Sequence, residues 1–217
     1  MRTRTGGDLL VLAAITAAGH SARMGVPKPL VAWNGGTFLG TILHTLRAAG
    51  ILRPAVVVAP GAEAVRIEAL RAGGFPLVNP HADRGRFTSV RLAARWALTR
   101  AGHATRPLAL VLWPVDCPAV ATETVAALAG AARRRPGADV VPVYRGRGGH
   151  PVVLGRPTLE RLASAPDRGH LRELMRSGGR TPVRLEVLDR AVLDNLNRPG
   201  DVRRALEGRE VADARAS

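Results

Sequence analysis

Short apolar runs alternate along much of the chain with longer segments in which apolar residues recur at helical spacing. The runs predict strands at residues 9–16, 55–59, 77–78, 108–113 and 140–143. The intervening segments predict helices at 37–49, 62–72, 87–100 and 122–134. Thr37 and Thr122 suit helix N-cap positions, and Gly50, Gly73 and Gly102 suit helix ends. This alternation predicts an α/β domain with a largely parallel sheet.

The pattern changes after residue 145, where glycines and a proline predict a turn at 146–151. A short strand at 152–154, helices at 158–164 and 170–177, a strand pair at 184–188 and 191–193, and a last helix at 199–207 follow. Pro199 suits the first turn of that helix. Because no linker or repeat divides the chain, we expect one domain over residues 8–207 and a flexible tail at 208–217.

Charge is the strongest compositional signal. The chain has 32 lysine or arginine residues against 17 aspartate or glutamate residues, a formal net charge of +15. Such a surface attracts polyanions, although a solvated arginine-rich surface without a dedicated partner is an equally good interpretation. Aromatic residues make up only 3% of the chain, which leaves no stacking platform for nucleic acid. We therefore expect phosphorylated small molecules, and no nucleic acid, as partners.

The first apolar run has two interpretations. Basic residues followed by an apolar run at 9–18 resemble a signal peptide, whereas Asp8 beside the run favours a buried first strand. We favour the strand. No run reaches the ~18 apolar residues that a membrane span needs, so we expect a cytoplasmic protein with no membrane partner.

The loop after the first run, residues 16–28, combines small residues with polar and cationic ones. Small residues let the backbone approach a ligand closely, and the loop adds a hydroxyl at Ser21, a guanidinium at Arg23 and an ammonium at Lys28. N–H groups and arginine bind phosphate oxygens in fixed geometry, and lysine neutralises their charge. The loop therefore predicts a triphosphate site, with an ordinary tight turn as the alternative.

Five motifs in order give the chain a specific resemblance. The first is Ala-Gly-x-Ser-x-Arg-Met-Gly-x-x-Lys at 18–28, and the others lie at 79–90, 114–118, 149–152 and 167–172. Together they resemble the nucleotidyltransferase family that includes molybdenum cofactor cytidylyltransferase and its guanylyltransferase relative. The resemblance extends from about residue 9 to 207. It implies a three-layer α/β/α, nucleotide-diphospho-sugar transferase-like (Rossmann-like) fold with a small β-containing acceptor lobe.

The resemblance also implies roles for individual residues. The nucleotide-binding half, about residues 8–120, would use Ala17, Ala18, Gly19, Ser21, Arg23, Gly25, Lys28, Asn79, Gly85 and Ser89. Catalysis would rest on Lys28, Arg23 and Asp116. The second half, about residues 121–207, would bind the acceptor through His150, Pro151 and Arg172. Asp116 at the end of an apolar strand would hold Mg²⁺ or Mn²⁺, with N-capping or a simple turn as the alternative.

One departure from the family's pattern concerns the metal. Asn197 stands where the family has a second aspartate ligand, and an amide oxygen binds Mg²⁺ more weakly than a carboxylate. The guanylyltransferase branch commonly has asparagine there. A one-residue shift would instead bring in Asp194.

The nucleotide and the acceptor are expectations from the same resemblance. The sequence Thr16-Ala-Ala-Gly19 and the run at 88–90 resemble the CTP-using branch, whereas Asn197 resembles the GTP-using one. We expect CTP, or failing that another NTP. The expected acceptor is phosphorylated, with molybdopterin first and a molybdoenzyme apoprotein as a further partner. The alternatives are a guanylyltransferase, a sugar- or alcohol-phosphate nucleotidyltransferase, and a non-catalytic molybdopterin-binding maturation chaperone.

Overall fold

The computed structural model describes residues 9–19, 25–102 and 106–216, with side chains up to residue 207. The strands are β1 (Leu10–Thr16), β2 (Ala32–Trp33), β3 (Gly36–Thr37), β4 (Ala55–Val58), β5 (Phe75–Val78), β6 (Leu108–Pro114), β7 (Val140–Tyr144), β8 (Arg147–Gly148), β9 (Val152–Gly155) and β10 (Val183–Glu186). The α-helices are α1 (Phe38–Ala48), α2 (Glu63–Arg71), α3 (Arg86–Ala101), α4 (Thr122–Arg134), α5 (Arg156–Ser164), α6 (Leu171–Ser177) and α7 (Pro199–Ala216). Three 3-10 helices within these ranges span Lys28–Leu30, Ala82–Arg84 and Arg190–Leu193.

Within the described ranges, eight strands form one sheet in the order β10-β7-β9-β6-β1-β4-β5, with β8 beside β7. The pairings β1–β4, β1–β6, β4–β5 and β7–β10 are parallel, whereas β9 runs antiparallel to β6 and β7. Strands β2 and β3 form a separate hairpin. The central sheet is therefore mostly parallel, as the apolar runs predicted.

Helices cover both faces of this sheet. The core on one face contains residues of α1, α2, α4 and α7, and the core on the other contains residues of α3, α5 and α6. Alternate residues of β1 serve the two cores: Ala13 and Ile15 face the first, and Ala14 faces the second. Because all three are almost fully buried, a strand at this position must be apolar on both faces. The three-layer α/β/α fold is confirmed.

Most of the predicted elements are confirmed. The first apolar run forms β1, a central strand of the sheet. The hydroxyl of Thr37 caps α1 by accepting a hydrogen bond from Gly40 N at 2.9 Å. Gly50 and Gly73 follow α1 and α2 with positive φ, and Gly102 ends α3 in the same way. The last helix continues beyond its predicted end to Ala216. The domain bounds and the flexible tail stay predictions.

Two predictions, the strand at 191–193 and the N-cap at Thr122, are wrong for one physical reason. The residues expected to form the second strand of a pair, 191–193, are a 3-10 helix, and β10 pairs with β7 instead. Thr122 is not an N-cap. In both places the carboxylate of Asp189 provides the acceptor. It accepts hydrogen bonds from Ala191 N, where the chain turns, and from Ala121 N and Thr124 Oγ1 at the start of α4.

The topology creates a crevice beside β1. The chain goes from β1 to β4 and β5 on one side of the sheet, and then crosses to β6 on the other side. In such sheets ligands bind outside the carboxyl ends of the strands where the order reverses. The last residues of β1 and β6, Thr16 and Pro114, are paired at that point. The triphosphate loop and Asp116 therefore emerge side by side.

A helix crosses a bilayer only when it is both long enough and apolar enough. No helix in the part of the chain that the structure describes combines the two properties.

Close backbone contact at Gly155 yields a stability prediction. A Cβ atom there would lie 2.3 Å from the carbonyl oxygen of Gly137, which is backbone and cannot move aside cheaply. We expect Gly155→Ala to lower the free energy of unfolding by about 2 kcal/mol or more, measured by urea denaturation. Gly36→Ala is the matched control, because its Cβ would meet nothing closer than 3.8 Å. Equal stability of the two variants would contradict the packing described.

Candidate active site

A cleft of about 1650 Å³ opens at the carboxyl ends of β1 and β6. Its floor comprises Thr16 to Gly19, Lys28 and residues 114–116. Its walls come from the segment leading into α3, the β8–β9 turn, residues 167–172, Asn195 and Asn197. The cleft thus combines residues from both halves of the chain, and it is where the sheet topology places a ligand.

At the floor of the cleft, Lys28 joins two of the predicted site residues. Its Nζ donates a hydrogen bond to Asn197 Oδ1 at 2.7 Å and lies 3.7 Å from Asp116 Oδ2. The side chains of Lys28 and Asp116 are 18% and 25% exposed, so each keeps a face toward the cleft. The structure therefore brings together the predicted catalytic lysine, carboxylate and amide from three distant parts of the sequence.

Backbone pairing and burial fix Asp116 at the end of β6. Val115 N donates to Thr16 O at 3.2 Å, and Leu196 N donates to Asp116 O at 2.8 Å. The next residue, Cys117, is fully buried, and its Sγ lies 3.6 Å from Asp116 Oδ1. Burial, reinforced by Asp116, raises the pKa of the Cys117 thiol well above its ordinary value. Cys117 therefore packs as a neutral residue that supports the carboxylate.

Asn197 is held by the start of α7. Its backbone N–H and that of Arg198 both donate to the carboxylate of Asp201, at 3.0 and 2.9 Å. Its side-chain Nδ2 donates to Asn195 O at 3.1 Å, which turns Oδ1 toward Lys28. The structure thus places Asn197 beside Lys28 and in the cleft lining, from which Asp194 is absent.

The fit of this site to a divalent cation rests on its oxygen donors. Asp116 offers a carboxylate, and Asn195 and Asn197 offer amide oxygens on the same wall. Mg²⁺ and Mn²⁺ accept such oxygen ligands, and Mg²⁺ in particular takes few of them from protein when substrate phosphates supply the rest. No group of three or more His, Cys, Asp or Glu side chains suited to a metal occurs within the described ranges. The donors therefore fit a cation shared with a triphosphate.

The triphosphate loop is only partly covered by the structure. Ala17, Ala18 and Gly19 line the cleft, but the N–H of Ala17 already donates to Val57 O at 2.9 Å and extends the sheet. Gly25 lines a smaller neighbouring cavity of about 460 Å³. The predicted nucleotide ligands Ser21 and Arg23 lie outside the described residues, so their roles stay predictions.

The segment at the predicted nucleobase side is organised by Asn79. This residue is only 2% exposed, and its Nδ2 donates to Thr88 Oγ1 at 2.9 Å and Ser89 Oγ at 3.0 Å. Its Oδ1 accepts from His81 N. Gly85, with φ of 105°, precedes α3 and lines the cleft together with Ser89. Asn79 therefore lies behind the wall and positions it, and Gly85 and Ser89 form its surface.

The acceptor-side turn packs tightly against the 3-10 helix at 190–193. His150 N donates to Val192 O at 2.8 Å, and a Cβ at Gly149 would lie 2.2 Å from that oxygen, so glycine is required. His150 faces the cleft, whereas Pro151 is buried behind it. Nδ1 of His150 is buried and has no hydrogen-bond partner among the described residues.

Arginines surround His150. Burial lowers the pKa of His150; Asp116 opposes this effect, and Arg172 and Arg86 add to it. Arg172 lines the cleft as predicted. Nearby, Asp167 accepts hydrogen bonds from Arg84 and Arg91, which hold the pKa of that carboxyl below its ordinary value. The acceptor side of the cleft is thus positively charged, with its one paired carboxylate fixed at the entrance to α3.

One family of known proteins matches most of the chain. The model of the MobA-like NTP transferase domain matches residues 13–183, which is more than half of the chain. The chain belongs to that family. The chain is therefore a nucleotidyltransferase of this family, as the five motifs predicted.

Relatives agree with this assignment. The chain is 28% identical to Rv0371c from Mycobacterium tuberculosis H37Rv, with 92% of this chain and 98% of that one covered and a TM-score of 0.76. The fold matches a nucleotidyl transferase from Methanothermobacter thermautotroptrophicus at 22% identity, with 92% and 96% covered and a TM-score of 0.70. The bifunctional protein GlmU of Xanthobacter autotrophicus is 37% identical over 123 residues, or 56% of this chain. The chain spans about a quarter of that protein's length.

Some residues of the nucleotidyltransferase cleft were not predicted from the sequence. Asn195 lines the wall two residues before Asn197, and its Oδ1 lies 3.4 Å from Cys117 Sγ. Arg86, Arg168 and Arg176 line the acceptor side. The alternation of Asn195 and Asn197 in an extended segment was an available signal, because residues two apart share a face. The arginines gave no signal in a chain that has so many.

The surroundings of His150 predict its titration. Because its pKa is lowered in the folded chain, His150 should titrate by NMR, in a buffer with chelator, below the ~6.5 of an unperturbed histidine. The unfolded chain then binds this proton more readily, so His150 should cost stability as the pH falls through about 6.5. Arg172→Gln should raise the His150 midpoint, and Arg133→Gln on α4 should not. A midpoint at or above ~6.5 in the parent chain would contradict the burial described.

Proposed function

We propose that the chain transfers CMP from CTP to the phosphate of an acceptor, with release of pyrophosphate. The observation that carries the proposal is the cluster at the cleft floor, where Lys28 Nζ lies 2.7 Å from Asn197 Oδ1 and 3.7 Å from Asp116 Oδ2. It joins the lysine of the triphosphate loop to the oxygen donors that suit a cation. Charge neutralisation and positioning are what nucleotidyl transfer requires.

The reaction needs no strong base. An oxygen of the acceptor phosphate, ionised at neutral pH, attacks the α-phosphorus of CTP and forms a new P–O bond. The bond from the α-phosphorus to the oxygen that bridges to the β-phosphorus breaks, and pyrophosphate leaves with that electron pair. Lys28 stabilises the negative charge on the transferring group, and Arg23 orients the β- and γ-phosphates. His150 and Arg172 hold the acceptor phosphate on the acceptor side of the cleft.

Metal dependence belongs to the same proposal. Asp116 and Asn197 would hold Mg²⁺ or Mn²⁺, which would neutralise triphosphate charge when bound. Rv0371c has been solved as a complex with manganese, and it is 27% identical to this chain in that structure. This neighbour supports a divalent cation without deciding between the two metals.

The choice of CTP rests on sequence and fold. The resemblance of Thr16-Ala-Ala-Gly19 to the CTP-using branch is the sequence argument. Neighbours of the same fold include 2-C-methyl-D-erythritol 4-phosphate cytidylyltransferase from Thermus thermophilus, at 19% identity, and a CMP-2-keto-3-deoxy-manno-octonic acid synthetase complexed with CTP, at 13%. At such identities they support the fold, and CTP only by analogy.

The first acceptor that we propose is molybdopterin in its molybdenum-bound form, because the family resemblance centres on molybdenum cofactor enzymes. A molybdoenzyme apoprotein would then receive the product, and the reaction would be cytoplasmic. Neighbours that act on sugar or alcohol phosphates make such phosphates the second acceptor class.

A screen for pyrophosphate release tests the function. The four NTPs are incubated with Mg²⁺ and either molybdenum-bound molybdopterin or a set of sugar phosphates. We expect release with CTP and molybdopterin, and a loss of about 10³-fold in Lys28→Ala and in Asp116→Ala because each removes charge at the transition state. Arg133→Gln, at an exposed site on α4, is the control. Tight molybdopterin binding without pyrophosphate from any NTP would favour a chaperone and overturn the proposal.

The second metal ligand can be tested separately. Asn197→Ala should raise the Mg²⁺ concentration for half-maximal rate by about 10-fold, and Asn197→Asp should lower it, because a carboxylate adds negative charge. Asp194→Ala should change it less than about 2-fold, since Asp194 does not line the cleft. Mn²⁺ affinities of the same variants, measured by electron paramagnetic resonance, should fall in the same order and require no catalysis. A larger effect at Asp194 than at Asn197 would reverse the assignment.

A further inference from the structure

The acceptor side of the cleft carries far more positive charge than one phosphate requires. Eight lysine or arginine side chains and three aspartates line the cleft. One of those aspartates, Asp167, is already engaged by Arg84 and Arg91, and another, Asp116, lies beside Lys28. The remaining positive charge is concentrated around α6 and the start of α3.

Four of these arginines form what we term the arginine wall: Arg86, Arg168, Arg172 and Arg176. All four are exposed, and none of their side chains has an ion pair within 4.0 Å or a hydrogen bond with another described residue. Arg86 and Arg172 both lower the pKa of His150, so the wall begins next to the residue that faces the acceptor phosphate. Arg176, one turn further along α6, extends it away from that point.

Several arginines on other helices form ion pairs with carboxylates on the same helix. Arg66, Arg71 and Arg204 each pair with a carboxylate three residues earlier, and Arg156 pairs with Glu160 one turn later. On α6 the face that lines the cleft instead presents Arg172 and Arg176 one turn apart, whereas Glu173 lies off that face. Like charges at this spacing destabilise an isolated helix.

We propose that the arginine wall binds a second anionic group of the acceptor, separate from the phosphate that attacks CTP. The inference rests on the proposed function, in which His150 and Arg172 hold the attacking phosphate. The acceptor is then a phosphate ester with at least one further phosphate or carboxylate about one helical turn away. Arginine suits this task, because its planar guanidinium binds either oxyanion through paired N–H donors.

The shape and lining of the cleft favour a small ligand over nucleic acid. The wall lies inside a concave cleft beside the catalytic lysine, and the lining residues include one aromatic side chain, Phe87, which is buried. Single-stranded nucleic acid is bound by grooves with exposed stacking platforms, which the lining does not offer. A small polyanion fits the enclosed wall.

Equilibrium binding of matched sugar phosphates tests the inference without catalysis. Fructose 1,6-bisphosphate and fructose 6-phosphate are titrated into the full chain by calorimetry at about physiological salt. We expect the bisphosphate to bind at least about 10-fold more tightly, and Arg168→Gln/Arg176→Gln, which keeps Arg172 for the attacking phosphate, to remove most of that advantage. Arg133→Gln/Arg134→Gln, which removes two charges from an exposed turn of α4, should leave it unchanged. A phosphate–carboxylate probe, 2-phosphoglycerate against glycerol 2-phosphate, distinguishes the two sources of the second charge.

Further variants keep the test decisive. Thermal melting verifies folding, and single Arg176→Gln replaces the double variant if that one unfolds. If Lys28→Ala abolishes bisphosphate binding and the wall variants do not weaken it, the probe occupies the triphosphate loop and the inference is overturned. Equal affinity for the two fructose phosphates, or DNA binding that the wall variants abolish, overturns it as well. Because these readouts need no turnover, an inactive chain can still support the wall, and an active one with unchanged acceptor KM in the wall variants refutes it.

Discussion

The active site depends on the parallel pairing of β1 with β6. Seven residues of each strand are in register, from Leu10 with Leu108 to Thr16 with Pro114. This register makes both strands end at the same level, so that the loop carrying Lys28 and the carboxylate of Asp116 leave the sheet as neighbours. The packing of β1 against two cores opposes a shift, because slipping by one residue would move Ile15 from the first core to the face where Ala14 packs.

Charge balance at the cleft floor follows from that register. Asp116 alone would be a partly buried carboxylate, and Lys28 supplies a compensating charge at 3.7 Å. Asn197 accepts a hydrogen bond from Lys28 without adding a second negative charge. An aspartate there would bind a cation more strongly but would also bind the lysine more strongly. The amide thus leaves the lysine less tightly held and more available to phosphate, at the cost of a weaker metal contact.

An element of the structure could be predicted from the sequence when its physical cause leaves a local pattern in the chain. The apolar runs predicted the parallel strands and their covering helices because burial on both faces leaves a continuous local pattern. The meeting of the first and third motifs was predictable for a related reason, since each begins where a parallel strand ends, at Thr16 and Pro114. The sequence could not predict that the side chain of Asn79 would donate hydrogen bonds to Thr88 and Ser89. An asparagine in a motif looks the same in the sequence whether it binds a ligand or supports a neighbouring side chain.

The segment from Asp189 to Asn197 was the hardest to predict, and it is the part that unites the two halves of the site. Asp189 caps α4, Val192 O accepts from His150 N, Leu196 N donates to Asp116 O, and Asn197 accepts from Lys28. Each of these contacts spans 40 or more residues in sequence, so no local pattern could reveal them. Local apolar spacing favoured a strand, and tertiary contacts imposed a 3-10 helix and an extended segment instead. One short segment therefore contacts the acceptor turn, the backbone of Asp116 and the side chain of Lys28, and so fixes their relative positions.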